Sequence, residues 1–182
     1  DWVDDRQTRR VSEPRDVQYP FTTRDKRVGM ARYLVTGGAG FIGSHLCTRL
    51  CAEGHDVRAL DDLSSGHRSN LDGVDVDLIV GDLRDRDALE SATDGADFVL
   101  HHAAIASVQF SVEHPLEEQD VNVVGTLRLL EAARAAGVKR VVFAASAAAY
   151  GEDETVPKQE SMRAQPISPY GLSKVTGEHY CR

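Results

Sequence analysis

Tyr170 and Lys174 stand four residues apart in Ser168-Pro-Tyr-Gly-Leu-Ser-Lys174, so on a helix both side chains project from one face. A tyrosine with an ordinary pKa near 10 is a poor base at neutral pH, but a neighbouring ammonium favours the phenolate. Lowering such a pKa by about 3 units corresponds to roughly 4 kcal/mol and makes proton transfer to and from a hydroxyl feasible near pH 7. The spacing alone is common and usually marks an exposed helix face. Among the five tyrosines, however, Tyr33 has Gly37 and Tyr150 has Glu154 at the same offset, Tyr19 lies in the N-terminal segment, and Tyr180 is too near the chain end to test. Ser146 follows the apolar run 141–145 and adds a hydroxyl able to bond a substrate oxygen and the reacting phenol. Its plain alternative is satisfaction of a local turn.

A second constellation lies at the other end of the chain, in Tyr33-Leu-Val-Thr-Gly-Gly-Ala-Gly-Phe-Ile-Gly-Ser-His-Leu46. Here an apolar strand runs directly into Gly37, Gly38, Gly40 and Gly43 and then into a helix. Glycines let the backbone turn sharply and approach phosphates closely, while the helix offers unpaired N–H groups and the positive end of its dipole. Any tight strand-to-helix turn uses glycine, so context matters. Asp61 closes the next apolar strand, at the separation where a carboxylate meets the adenosine ribose of a dinucleotide. A dinucleotide site is therefore expected.

The elements that must position these residues alternate strand and helix: strand 32–36, helix 41–53, strands 56–60 and 77–80, helix 85–93, strand 98–101, helix 116–136, strand 140–145, and a helix opening near Pro169. Such alternation implies an α/β fold, a Rossmann-type doubly wound parallel sheet with helices on both faces and right-handed crossovers. The strands are short continuous apolar runs, as sheets buried on both faces require. Ligands of open sheets bind beyond the carboxyl ends of the strands, which here are 37–43, Asp61, Asp82, 102–106 and Ser146.

Composition narrows the function classes. The 182 residues, 41% hydrophobic, suffice for one substantial core and not for two comfortable domains. Residues 1–29, rich in Arg and Asp with Pro14 and Pro20, show no sustained periodicity and are expected to be a disordered extension of the domain 30–182. A formal net charge of -8 argues against a nucleic-acid partner, because no concentrated basic face is available. Cys47, Cys51 and Cys181 make no disulfide framework and no zinc spacing, so neither a metal site nor an oxidising compartment is expected. No apolar stretch reaches membrane-spanning length, which points to a cytoplasmic protein without a membrane partner.

Over residues 31–182 the chain resembles the extended short-chain dehydrogenase/reductases, and within them the NAD-dependent epimerases and dehydratases of nucleotide sugars. The resemblance rests on Thr36-Gly-Gly-Ala-Gly-Phe-Ile-Gly43, Asp61-Asp-Leu-Ser-Ser-Gly66, Gly81-Asp-Leu83, His101-His-Ala-Ala104, Asn122, Ser146-Ala-Ala-Ala-Tyr-Gly151 and Tyr170 to Lys174. It implies that Phe41 and Ile42 sit over the pyrophosphate, and that Asp61 holds the adenosine ribose, with Asp62, Leu63, Ser64, Ser65 and Gly66 completing the strand end. Asp82 and Leu83 then border the adenine, and His102, Ala103, Ala104 and Ala106 line the cofactor, with Asn122 nearby. Tyr170 becomes the base, Lys174 holds the nicotinamide ribose and tunes Tyr170, and Ser146 orients the substrate hydroxyl. The Asp61 carboxylate repels the 2′-phosphate of NADP, so the expected cofactor is NAD.

Within that family, sugar 4,6-dehydratases place an Asp-Glu pair beside the catalytic hydroxyl and UDP-glucuronate decarboxylases place a Glu nearby. Here the neighbours of Ser146 are Ala147, Ala148 and Ala149. The resemblance is thus closest to a UDP-sugar 4-epimerase, acting on UDP-glucose and UDP-galactose or the N-acetylated pair. It implies proton removal from the C4 hydroxyl by Tyr170 with hydride transfer to NAD, rotation of the bound 4-keto sugar, and return of both to the other face. Two alternatives stay open: another nucleotide-sugar oxidoreductase, dehydratase or decarboxylase of the family, and a non-catalytic NAD-binding fragment. Family members continue well past the Tyr-x-x-x-Lys helix into a part that grips the sugar, so the chain is expected to be truncated at its C-terminus. A homodimer is implied for the full-length protein, although core packing explains the stripe Leu127, Leu129, Leu130, Ala133 and Ala136 equally well.

Overall fold

Five short apolar runs form the strands β1 (Arg32–Thr36), β2 (Asp56–Asp61), β3 (Asp77–Val80), β4 (Phe98–His101) and β5 (Arg140–Phe143) in the computed structural model, which describes residues 29–182. All pairings are parallel and the order is β3-β2-β1-β4-β5, so the chain reverses its direction of travel across the sheet between β1 and β4. Register places Thr36 beside both Leu60 and His101, which brings the loops after β1, β2 and β4 to one edge. This is the switch point at which open α/β sheets bind ligands. The expectation for residues 1–28 lies outside the described residues.

Side chains alternate across each strand, and the two faces build two cores. Leu34, Leu60 and Val99 meet Leu89 and Ala92 of α2 (Arg86–Thr93) and Leu129 and Ala133 of α5 (Thr126–Ala135) on one face. Val35, Val57 and Ala59 meet Cys47 of α1 (Phe41–Ala52) on the other. Each fully buried Leu or Val stabilises the fold by about 1.5–3 kcal/mol relative to exposure. Helix ends follow local chemistry: the Asp85 carboxylate accepts from Asp87 N at 2.9 Å to start α2. Ser168 Oγ accepts from Gly171 N at 3.0 Å, with Pro169 in the first turn, to start α6 (Pro169–Tyr180).

Three expectations change. The helix expected over 116–136 is divided into α4 (Pro115–Gln119), a π turn (Asp120–Gly125) and α5. The wider turn lets Asn122 reach inward to the backbone of Ile105 while Leu129 and Ala133 keep their places in the core. An unexpected short helix, α3 (Val108–Glu113), starts where Ser107 Oγ accepts from Phe110 N at 3.1 Å. Strand β5 stops at Phe143 and not at 145, because Ala144 N still bonds His101 O but Ala144 O turns to Lys174 Nζ at 3.0 Å.

Candidate active site

The loops at the carboxyl edge enclose a cavity of about 730 Å³. Its floor is the β1–α1 turn. Gly37 has φ of +68°, and a Cβ there would lie 2.8 Å from Ala103 N, so only glycine allows β4's exit loop to cross so closely. At Gly43 a Cβ would lie 2.0 Å from Gly37 O, so the first turn of α1 can close on the loop only without a side chain. Gly37 and Gly40 line the cavity, whereas Gly38 is buried against Ala59 behind it. Gly40 caps α1 without a side-chain hydrogen bond, which leaves first-turn N–H groups for an anion. Phe41 and Ile42 are exposed on the first turn of that helix.

Asp61 stands beside this turn, buried, with Oδ2 accepting from Ala39 N and Oδ1 from Leu63 N, both at 2.9 Å. Two backbone donors hold the carboxylate in place while it lines the cavity, so it can accept hydroxyl hydrogens there. Asp62 folds its Oδ1 onto Ser64 N at 2.9 Å, and Ser64 and Ser65 continue the wall. Leu63 takes a φ of +60° in this tight loop, and Gly66 packs on Ala39 and Asp61. Leu83, His102, Ala103, Ala104 and Ala106 also line the cavity. Asp82 borders it through Arg84, whose guanidinium hydrogen bond holds the Asp82 carboxyl below the usual carboxylate range. Ile105, within the expected strand end 102–106, lines the same space, as do Arg84, Ser107, Phe110, Glu117 and Val121, which were unforeseen because they come from the loop before α2, from the unexpected α3 and from α4 and the π turn.

Asn122 does not present its amide to this space. Oδ1 accepts from Ile105 N at 2.8 Å and Nδ2 donates to Ile105 O at 2.9 Å, so the side chain braces the wall from behind. A buried relay links the wall to the turn. Thr36 Oγ1 accepts from His102 N and Ala103 N, both at 3.2 Å, and its own hydrogen goes to His101 Nδ1 at 2.7 Å. Thr126 Oγ1 donates to Asn122 O at 2.6 Å, so it accepts from His101 Nε2–H at 2.9 Å. His101 is thereby held neutral in one tautomer, and complete burial, reinforced by Lys174 and His102, pulls its pKa down to about 3.

Beyond the cavity, α6 carries Tyr170 and Lys174 to the end of β5. Lys174 is 5% exposed; its Nζ lies 4.8 Å from the Phe143 ring centre and 5.8 Å from that of Tyr170. Burial pulls the Lys174 ammonium down to about 8, with Glu118 acting in the opposite direction. Ser146 is half-buried at the start of the turn Ala147–Tyr150, and its Oγ accepts from Ala148 N at 3.2 Å, leaving its hydrogen free to donate elsewhere. Helix α6 packs tightly on β5, since a Cβ at Gly177 would lie 2.3 Å from the Phe143 ring.

The family model of the NAD dependent epimerase/dehydratase family matches residues 33–182, nearly all of the described chain. The chain belongs to this family. A UDP-glucose 4-epimerase of Mycolicibacterium smegmatis is 45% identical over 155 residues, which cover 82% of this chain and 50% of that protein. A UDP-glucose 4-epimerase of Thermus thermophilus in complex with NAD superposes with a TM-score of 0.76 at 44% identity, over 82% of this chain and 49% of that one. A UDP-N-acetylglucosamine 4-epimerase of Methanobrevibacter ruminantium in complex with UDP-N-acetylmuramic acid gives 0.78 at 39% identity, over 83% and 49%. The chain spans about half the length of the curated relatives it matches.

The cavity fits the cofactor of this NAD-dependent family. The glycine turn leaves no room for side chains where a diphosphate would sit, α1 offers its N–H groups, and the fixed Asp61 carboxylate can accept ribose hydroxyls but opposes a 2′-phosphate. Among the described residues, no group of His, Cys, Asp and Glu is arranged to hold a metal ion, and no helix is long and apolar enough to cross a membrane.

Proposed function

We propose that the intact protein is a UDP-sugar 4-epimerase, acting on the UDP-glucose/UDP-galactose pair or its N-acetylated counterpart, and working as a homodimer. The observation that carries this reading is the composition of the catalytic corner. Lys174 lies beside the Tyr170 ring and bonds Ala144 O just past the end of β5, two residues before Ser146, and the turn after Ser146 is Ala147, Ala148 and Ala149. Elimination or decarboxylation needs further acid–base groups beside that hydroxyl; reversible oxidation at one carbon does not.

Bound NAD supplies reversible hydride exchange at C4. Tyr170 accepts the C4 hydroxyl proton, and the Lys174 ammonium beside its ring supports the negative charge on the phenol oxygen. Ser146 donates to the same sugar oxygen and fixes its distance from Tyr170. In this reading Lys174 exchanges its Ala144 bond for a ribose hydroxyl of the cofactor. After the 4-keto sugar turns its other face, Tyr170 returns the proton, so protons and electrons balance over one turnover.

The test is direct. Intact protein with NAD and UDP-glucose, or UDP-N-acetylglucosamine, is expected to yield the C4 epimer by NMR without net NADH release. Stoichiometric NADH identifies a simple dehydrogenase, and absence of both products leaves a cofactor-binding module.

A further inference from the structure

Glu118, on α4, is completely buried and takes no part in the steps above. Its carboxylate is nonetheless fully engaged. Oε1 accepts from the Asn122 amide and from Ser173 Oγ at 2.7 Å, and Oε2 accepts from Gln119 Nε2 at 2.7 Å. Gln119 Nε2 in turn lies 3.1 Å from Pro169 O, the first residue of α6. One side chain therefore joins the π turn that braces the cavity wall to the helix that carries Tyr170 and Lys174. Desolvating a carboxylate is costly, and an apolar residue of similar volume packs a purely structural core at least as well.

We propose that Glu118 is the positioning residue that seats the Tyr170–Lys174 helix against the Asn122-braced cofactor wall. The role deepens the epimerase reading and rests on it. Glu118 adds a buried negative charge to the surroundings of Lys174, which otherwise hold Tyr170 on its own helix and His101 and His102 at the end of β4. The remaining ionisable groups on elements packed against α6 are Glu113 on α3, Glu117 on α4, Asp120 on the π turn, Tyr150, and Arg128, Glu131 and Arg134 on α5. All of these are exposed or half-exposed. Phe143 and Ala144 of the β5 end contribute no charge.

Two substitutions in the intact protein separate distance from charge. Glu118→Asp keeps the charge but withdraws the carboxylate by one methylene from Ser173 and Asn122, so kcat falls by about tenfold or more. Glu118→Gln keeps the reach but removes the charge, so the Lys174 side-chain carbon signal, assigned by NMR through Lys174→Met, titrates about one pH unit lower. A Lys174 titration unmoved in Glu118→Gln, or a Glu118→Asp kcat within about twofold of wild type, overturns the proposal. If Glu118→Asp does not fold, Ser173→Ala serves as the positional test by the same criterion. Wild-type protein that turns over no UDP-sugar refutes the epimerase reading instead, and the NMR titration still judges the charge that Glu118 places on Lys174.

Discussion

At the β1–α1 turn the decisive contacts run between backbone atoms: Gly37 against Ala103 N, Gly43 against Gly37 O, and the Asp61 carboxylate on two N–H groups. At α6 they run between side chains brought from two distant stretches of the chain, where Glu118 and Asn122 meet Ser173 beside the buried Lys174. The cofactor end works by leaving side chains out, so that N–H groups can face a diphosphate. The proposed catalytic end works by burying polar side chains with their partners, so that the proposed base and its cation keep a fixed separation. The first design tolerates no added volume, and the second tolerates no lost partner.

Substitutions at the two ends should therefore fail differently. The largest effect is expected for Tyr170→Phe, which removes the proposed acid–base group and lowers kcat by about 10³-fold or more while NAD stays bound, as checked by turnover and fluorescence titration. Gly43→Ala forces the α1 turn away from the loop. An overpacking cost of about 1–3 kcal/mol weakens NAD by roughly 5- to 150-fold in calorimetry while the pH profile keeps its shape. Asp61→Asn is smaller, roughly tenfold in NAD affinity, with discrimination against NADP relaxed.

The pH profile probes the catalytic end alone. Because the Lys174 ammonium titrates near 8, kcat is expected to decline above that value, and Lys174→Arg is expected to flatten the decline even though it lowers the maximum. The smallest effect concerns stability. The unfolded chain protonates His101 near its ordinary pKa of about 6.5, but the native fold resists until about 3. His101 thus contributes nothing adverse above pH 6.5, and stability is lost as pH falls from there towards 3. The slope is on the order of 1 kcal/mol per pH unit, which His101→Asn should reduce in acid denaturation curves.

Much of this molecule was legible in its residues. Strand β1, the glycine turn and Asp61 announce themselves because each is a local pattern: an apolar run, a φ or clearance that only glycine meets, and an acid closing the next strand. The α6 pair was legible because a helix fixes which residues four apart share a face. The division of the helix expected over 116–136 was not, because Pro115 and the π turn read as continuous helical periodicity. Nor was Glu118. On the sequence it is one of two adjacent acids, and only packing shows Glu117 facing the cavity and Glu118 buried under α6.

By itself the sequence determined the parallel sheet, the dinucleotide turn and the Tyr-x-x-x-Lys pair, since these follow from backbone geometry within single elements and their neighbours. Tertiary structure alone decided how they combine: that Asn122 braces the wall from behind, that His101 is locked neutral between Thr36 and Thr126, and that Glu118 ties the wall to the catalytic helix. The physical reason is range. A turn or a helix face is set by residues a few positions apart, but a buried hydrogen-bond network joins groups as distant as Glu118 and Ser173, or Thr36 and His101, whose meeting depends on how the whole sheet and its helices pack.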